Sequence, residues 1–121
     1  MRPLKPHIHP ADEPAIAAAF GAAVNMTARE IEAWLKTDES KAVGMVRRGE
    51  TESVGRQSAR RILDILGRPS SQLTEADYGH MRKVVGFVNR HRAQWPAGDI
   101  SRTRWRYSLM NWGHDPLKGN L

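Results

Sequence analysis

Apolar side chains recur along this chain at spacings of three and four residues, and no stretch alternates strictly between apolar and polar, so the pattern predicts helices and no convincing strand. Ile16, Phe20 and Val24 share one face of a first helix whose alanines, over residues 15–24, are strong helix formers. Asp12 is placed to cap it, Pro14 fits its opening turn, and Gly21 weakens it. Thr27 with Glu30 forms a capping box and opens a second helix with the stripe Ile31, Trp34 and Leu35. Residues 37–55 hold three glycines and little periodicity, which predicts mostly loop with room for one helical turn at 38–43. A third helix over 54–66 sets Ala59, Ile62, Leu63, Ile65 and Leu66 on one arc and Arg56, Gln57, Arg60, Arg61 and Asp64 on the other. Gly67 is expected to end it in the left-handed conformation, and Pro69 prevents continuation.

Thr74, with Asp77 three residues on, caps a fourth and longest helix that Trp95-Pro96 is expected to stop. Tyr78, Met81, Val84, Val85, Phe87, Val88 and Trp95 cover about half its circumference, wide enough to bury against more than one neighbour. Gly79, Gly86 and Ala93 form a bare stripe on the other half, flanked by Arg82, Lys83, Asn89 and Arg90. Each interior glycine costs roughly 1 kcal/mol relative to alanine, so the stripe points to a close approach, by a packed helix in the plainer reading or by a nucleic-acid backbone in the other. Asp99 or Ser101 opens a fifth helix that ends near Trp112-Gly113. Its two apolar sides, Ile100, Thr103, Tyr107 and Met110 against Trp105, Leu109 and Trp112, predict a central position between layers.

These elements define an all-α fold: one small domain over residues 12–118, of about five helices with a central C-terminal helix, preceded by an extended tail over residues 1–11. The chain has 121 residues and a formal net charge of +6, and the charge is regional. Residues 47–106 carry thirteen arginines and lysines against six acids, net +7, whereas residues 1–46 sum to −1 and 107–121 to zero. Such concentration creates a positive potential over part of a small fold, and its commonest partner is a polyanion such as nucleic acid. No apolar run approaches the roughly 20 residues that span a bilayer, and no secretory signal is recognisable at the start, so a cytoplasmic location is expected. The absence of cysteine removes disulfides, thiolate nucleophiles and cysteine-ligated zinc together.

Chemistry beyond charge is sparse. His7, His9, His80, His91 and His114 with Asp115 include no pair at the helical spacing, followed by a third ligand, that marks a zinc site, so no metal or cofactor is expected. Ser108 lacks the turn that exposes a serine nucleophile, no glycine-rich phosphate loop with its lysine exists, and the acids form no obvious acid–base pair. His80, at the margin of an apolar arc, reads as a packed side chain rather than a base. Within Arg102-Thr-Arg-Trp-Arg-Tyr the cations can grip phosphates and the rings can stack on bases, although the helical spacing of Trp105, Tyr107 and Trp112 equally describes core. The arginines of the third helix either face a polyanion or are offset by Asp64, Glu50 and Glu52 as a solvated surface.

The blocks Asn25-Met-Thr, Trp34-Leu-Lys-Thr-Asp-Glu-Ser-Lys-Ala-Val-Gly44, Glu52-Ser-Val-Gly-Arg-Gln-Ser-Ala-Arg-Arg-Ile62, His80-Met-Arg-Lys-Val-Val-Gly86 and Thr103-Arg-Trp-Arg-Tyr-Ser-Leu-Met-Asn-Trp-Gly-His-Asp-Pro-Leu-Lys118 carry a resemblance. Over about residues 20–118 the chain resembles the small uncharacterised family called domain of unknown function 3140, whose members are commonly labelled DNA-binding. The resemblance thus implies DNA binding without a mechanism. The chain departs from that family's pattern at Ala59, where a glycine is usual, and at Met45, where an aromatic is usual. Asn111, His114 and Asp115 in the closing motif are expected to cap a helix end and tie the tail back onto the core.

The functional expectation is non-enzymatic binding of nucleic acid, double-stranded DNA in particular, through phosphates and with low sequence specificity. Its expected contact residues are Arg56, Arg60, Arg61, Arg82, Lys83, Arg90, Arg102, Arg104 and Arg106. The alternative is a protein-interaction module in which the Gly79, Gly86 and Ala93 stripe receives a partner helix and the basic patch meets an acidic protein. A weaker alternative is an enzyme of unrecognised type, and a homo-oligomer stays open.

Overall fold

The computed structural model describes residues 8–118. Six α-helices lie within them: α1 (Glu13–Ala23), α2 (Ala28–Leu35), α3 (Asp38–Lys41), α4 (Val54–Leu66), α5 (Glu75–Arg92) and α6 (Arg104–Asn111). Two short 3-10 turns, Pro10–Asp12 and Ser70–Gln72, complete the set, and the described residues form no strand. The sixth helix is the single turn α3 inside the expected loop.

Local chemistry starts most of these helices. The side chains of Thr27, Thr37, Ser53, Thr74 and Thr103 each accept the backbone N–H three residues on, and Thr27/Glu30 and Thr74/Asp77 close full capping boxes. Thr103, not Asp99 or Ser101, therefore opens α6; Asp99 instead accepts the Ser101 amide in a local turn. Asp12 stands at the N-cap of α1 without a side-chain bond, because the preceding turn already supplies the entry and is itself capped by His9 Nδ1.

Two helix ends differ from expectation. Gly67 has φ −83° rather than a left-handed conformation, because its N–H reaches Leu63 O and the Arg68 N–H reaches Ile65 O, tightening the last turn without reversing the backbone. α5 stops at Arg92, short of Trp95-Pro96; Trp95 leaves the helix to meet Trp105 edge-on at 4.8 Å.

α5 packs along α1, and α6 lies against α2, α3, α4 and α5, which makes the C-terminal helix central. Ile31, Ile62, Val84 and Leu109 are fully buried where these helices meet. Leu66, expected on the inner arc of α4, is exposed at its end. Of the expected extended tail, residues 1–7 lie outside the described residues, whereas Ile8 is buried and donates its N–H to Glu75 Oε1, so packing begins before residue 12.

The closing motif acts as a tie. Gly113 (φ +79°) ends α6 in a Schellman arrangement, with Gly113 N–H to Met110 O and His114 N–H to Leu109 O. A Cβ at Gly113 would also press on Val24 at 3.0 Å. Asn25 Oδ1 accepts the Asp115 N–H at 2.8 Å while its Nδ2 donates to Asp115 O at 2.9 Å. His114 Nδ1 donates to Ala23 O, which leaves Nε2 as the acceptor of Arg92 Nη1 at 2.7 Å.

Candidate nucleic-acid interface

α5 sets Tyr78, Met81, Val84 and Val88 into the core and leaves its opposite face to solvent. Arg82, Lys83 and Arg90 are exposed on that face and form no ion pair among the described residues. Lys83 and Arg90, seven residues apart, stand roughly 10 Å apart along the axis. Between the cations the backbone is bare: nothing approaches the Cβ position of Gly79 within 4 Å, and only the flexible Arg90 guanidinium approaches that of Gly86. No described helix packs on Gly79 or Gly86, so the plainer reading of close helix packing does not hold among the described residues.

The arginines of α4 divide. Arg56 is 7% exposed and belongs to the interior: its Nη1 donates to Leu35 O at 2.9 Å and to Ser40 Oγ at 2.7 Å, and its Nε lies 3.3 Å from Glu52 Oε2. It cannot touch a polyanion, which corrects its place on an outer basic face. Arg60 is held in a two-pronged pair by Glu52, which in turn is lowered from its ordinary pKa chiefly by that guanidinium. Arg61 remains exposed, with Asp77 Oδ1 at 3.4 Å. Asp77 is held well below the usual carboxylate range, first by Arg68 at 2.9 Å, so its charge is largely answered by a residue other than Arg61.

On α6, Arg106 is removed as a contact because Asp115 takes its guanidinium at 3.1 and 2.9 Å and Ser101 O takes Nη1 at 2.8 Å. Arg102 and Arg104 are exposed without a carboxylate partner among the described residues, near the end of α5, where Trp105 Nε1 donates to His91 O. The rings of this segment are structural. Trp112 is buried and stacks with Phe87 at 4.3 Å and with His80 at 6.4 Å, and His91 stacks with Phe87 at 5.1 Å and with Trp105 at 5.8 Å. Tyr107 meets Trp34 at 5.5 Å. Faces already occupied by protein rings offer no platform for bases.

Two clefts border the cationic face and share Val54, Lys83 and Trp112. The smaller, about 260 Å³, brings Arg47, Arg61, Lys83 and His80 together. His80 stays neutral there, since burial first, then Arg61 and Lys83, push its pKa down to about 4, and Ser58 Oγ bonds its Nε2 at 2.9 Å. Ser58 is only 2% exposed, so this pair is packing rather than a nucleophile with its base. The larger cleft, about 340 Å³, has Lys83 and Arg90 on one side. Among the described residues no group of three histidines, aspartates or glutamates is placed to hold a metal ion. No described helix is long and apolar enough to cross a membrane.

The folded chain thus gathers Arg61, Lys83 and Arg90 around two adjoining clefts, with Arg82 on the other flank of the glycine stripe at the α1–α5 groove. Arg47 joins them, with Glu50 Oε2 at 3.7 Å, although it was not among the expected contacts; it lies in a segment without periodicity, which gives no angular position to read. Arg56, Arg60 and Arg106 are withdrawn by partners.

An all-helical domain with open cations on one helix face is best placed by descent. The profile of the family described as "Protein of unknown function (DUF3140)" matches residues 19–110, and the chain belongs to that family. The match stops short of the tie formed by residues 111–118. No curated protein and no solved structure matches the chain.

Proposed function

We propose that this protein binds nucleic acid without catalysis, double-stranded DNA through its phosphates, along the outer face of α5. One observation carries the reading: Arg82, Lys83 and Arg90 stand free of carboxylates among the described residues on a helix face where Gly79 and Gly86 let a phosphate backbone come close. Arg61 and Arg47, beside Lys83 in the smaller cleft, extend the positive surface. Base reading is minor, because the rings are stacked on one another and cations on phosphates carry no sequence information. The DNA-binding label implied by the resemblance agrees with this, and a cytoplasmic location goes with it.

The test is binding of random-sequence duplex DNA by fluorescence anisotropy across a salt series. Affinity falls steeply with salt, and replacing Arg82, Lys83 and Arg90 together by glutamine lowers the log–log slope by about 2.7, at roughly 0.9 per phosphate. No binding at low salt, or an unchanged slope in the triple variant, overturns the reading. A second reading, docking of an acidic protein helix, is favoured by the apolar groove of about 320 Å³ that Ala15, Ile16, Ala19, Val85 and Gly86 form beside Arg82. It requires DNA to stay unbound even at low salt.

A further inference from the structure

We propose that the larger cleft, between the loop carrying Gly44 and Met45 and the facing sides of α5 and α6, is a binding site for a small aromatic carboxylate. Its volume of about 340 Å³ lies at the small end of the roughly 300–1,000 Å³ typical of sites for organic molecules. Val54, Phe87, Trp112 and Met45 make most of its wall, and Met45 is 69% exposed there, an apolar side chain left uncovered at the rim. Apolar walls with a few converging polar groups are the usual form of such a site.

The polar groups choose the ligand. Asn111 has already committed its amide, accepting from Trp34 Nε1 and Ser40 Oγ and donating to Ser40 O. His91 Nε2 bonds Trp105 O. Among the described residues the Lys83 ammonium, the Arg90 guanidinium, the Ser108 hydroxyl and the Trp112 indole N–H keep a donor free, against the acceptors Ser108 Oγ and His91 Nδ1. Trp112 is 5% exposed as a whole residue, while its indole nitrogen is open to solvent in the cleft. The indoles of Trp34 and Trp105 donate to Asn111 Oδ1 and His91 O, whereas that of Trp112 has no protein acceptor among the described residues and its donor faces the cleft. A cleft with apolar walls in which donors outnumber acceptors, and in which two of the donors are cations without an answering carboxylate, is complementary to an apolar body that ends in an anion. The site is independent of whether nucleic acid is the partner of α5.

The experiment is a ¹H–¹⁵N NMR titration of the full chain with indole-3-acetate, its neutral amide indole-3-acetamide, and phenyl phosphate, in the absence of nucleic acid. With the carboxylate, the Trp112 indole N–H and the Ser108 amide shift and saturate at millimolar ligand, while the indoles of Trp34 and Trp105 stay in place. The neutral amide binds at least about tenfold more weakly. Lys83→Gln with Arg90→Gln removes that preference; both side chains are exposed, so the variant keeps its fold. A stationary Trp112 indole peak overturns the site. Equal affinity for acid and amide overturns recognition of an anion, and tighter binding of phenyl phosphate than of the carboxylate overturns the assignment of ligand class.

Discussion

Arg56 Nη1 and Ser40 Oγ lie 2.7 Å apart in the interior, and Ser40 Oγ in turn donates to Asn111 Oδ1 at 2.6 Å. Through Glu52 on one side and Trp34 on the other, this chain of bonds joins α2, α3, α4 and α6 around a polar centre. A buried guanidinium is tolerated here because the Leu35 carbonyl, the serine hydroxyl and a carboxylate together replace its water.

It follows that two arginines four positions apart on α4 have unequal weight. Arg56→Gln leaves buried acceptors without a donor and lowers stability by about 3 kcal/mol. Arg60→Gln, at an exposed pair, changes it by less than about 1 kcal/mol. Urea unfolding of the two variants is the check, and equal losses would contradict the interior role of Arg56.

Gly79 is a second point of contrast between stability and binding. A methyl group there meets nothing within 4 Å, so Gly79→Ala gains helix propensity and stabilises the protein by about 0.5–1 kcal/mol. A bulkier Gly79→Gln obstructs the approach of a phosphate backbone to α5 and weakens duplex DNA binding while the midpoint of unfolding does not fall. Unweakened DNA binding by the glutamine variant would mean that the stripe is not part of the contact.

Stability depends on pH through the histidines. Burial first, then Arg61 and Lys83, lower His80 from 6.5 to about 4, and burial also lowers His91 and His114. The unfolded chain therefore takes up protons more readily than the folded one between these values. Stability is complete above about pH 6.5 and falls as pH drops towards 4. The carboxylates of Asp77 and Glu52, held low by Arg68 and Arg60, add their losses only at lower pH. Thermal melts between pH 7 and 4.5 should show the decline, and His80→Gln, which retains a group for Ser58 Oγ, should flatten part of it. A melting temperature constant over that range would refute the assignment.

The larger cleft and α5 share Lys83 and Arg90, so a carboxylate bound there answers two of the three open cations of that helix. Saturating indole-3-acetate is expected to weaken duplex DNA binding by about tenfold or more at low salt, an effect absent with the neutral amide. DNA affinity that is indifferent to a carboxylate already shown to occupy the cleft would place the DNA contact elsewhere.

The helical class, the span of α4, the capping boxes of α2 and α5 and the central place of α6 are legible in the sequence alone. Their causes are local: a hydroxyl three residues before an amide, or an apolar side chain every three to four positions. The candidate face was legible only in part. Arg82, Lys83 and Arg90 lie opposite the apolar arc of α5 and stay outside, as their angular positions predict, whereas Arg56 has a similar sequence signature and lies within. Angle around a helix records which side chains share a face; it does not record what the neighbouring helices present to that face. Tertiary structure alone decided that Leu35 O, Ser40 Oγ and Asp115 would claim Arg56 and Arg106, because those acceptors come from elements up to 21 residues away in the chain and meet the guanidinium groups only when the helices pack.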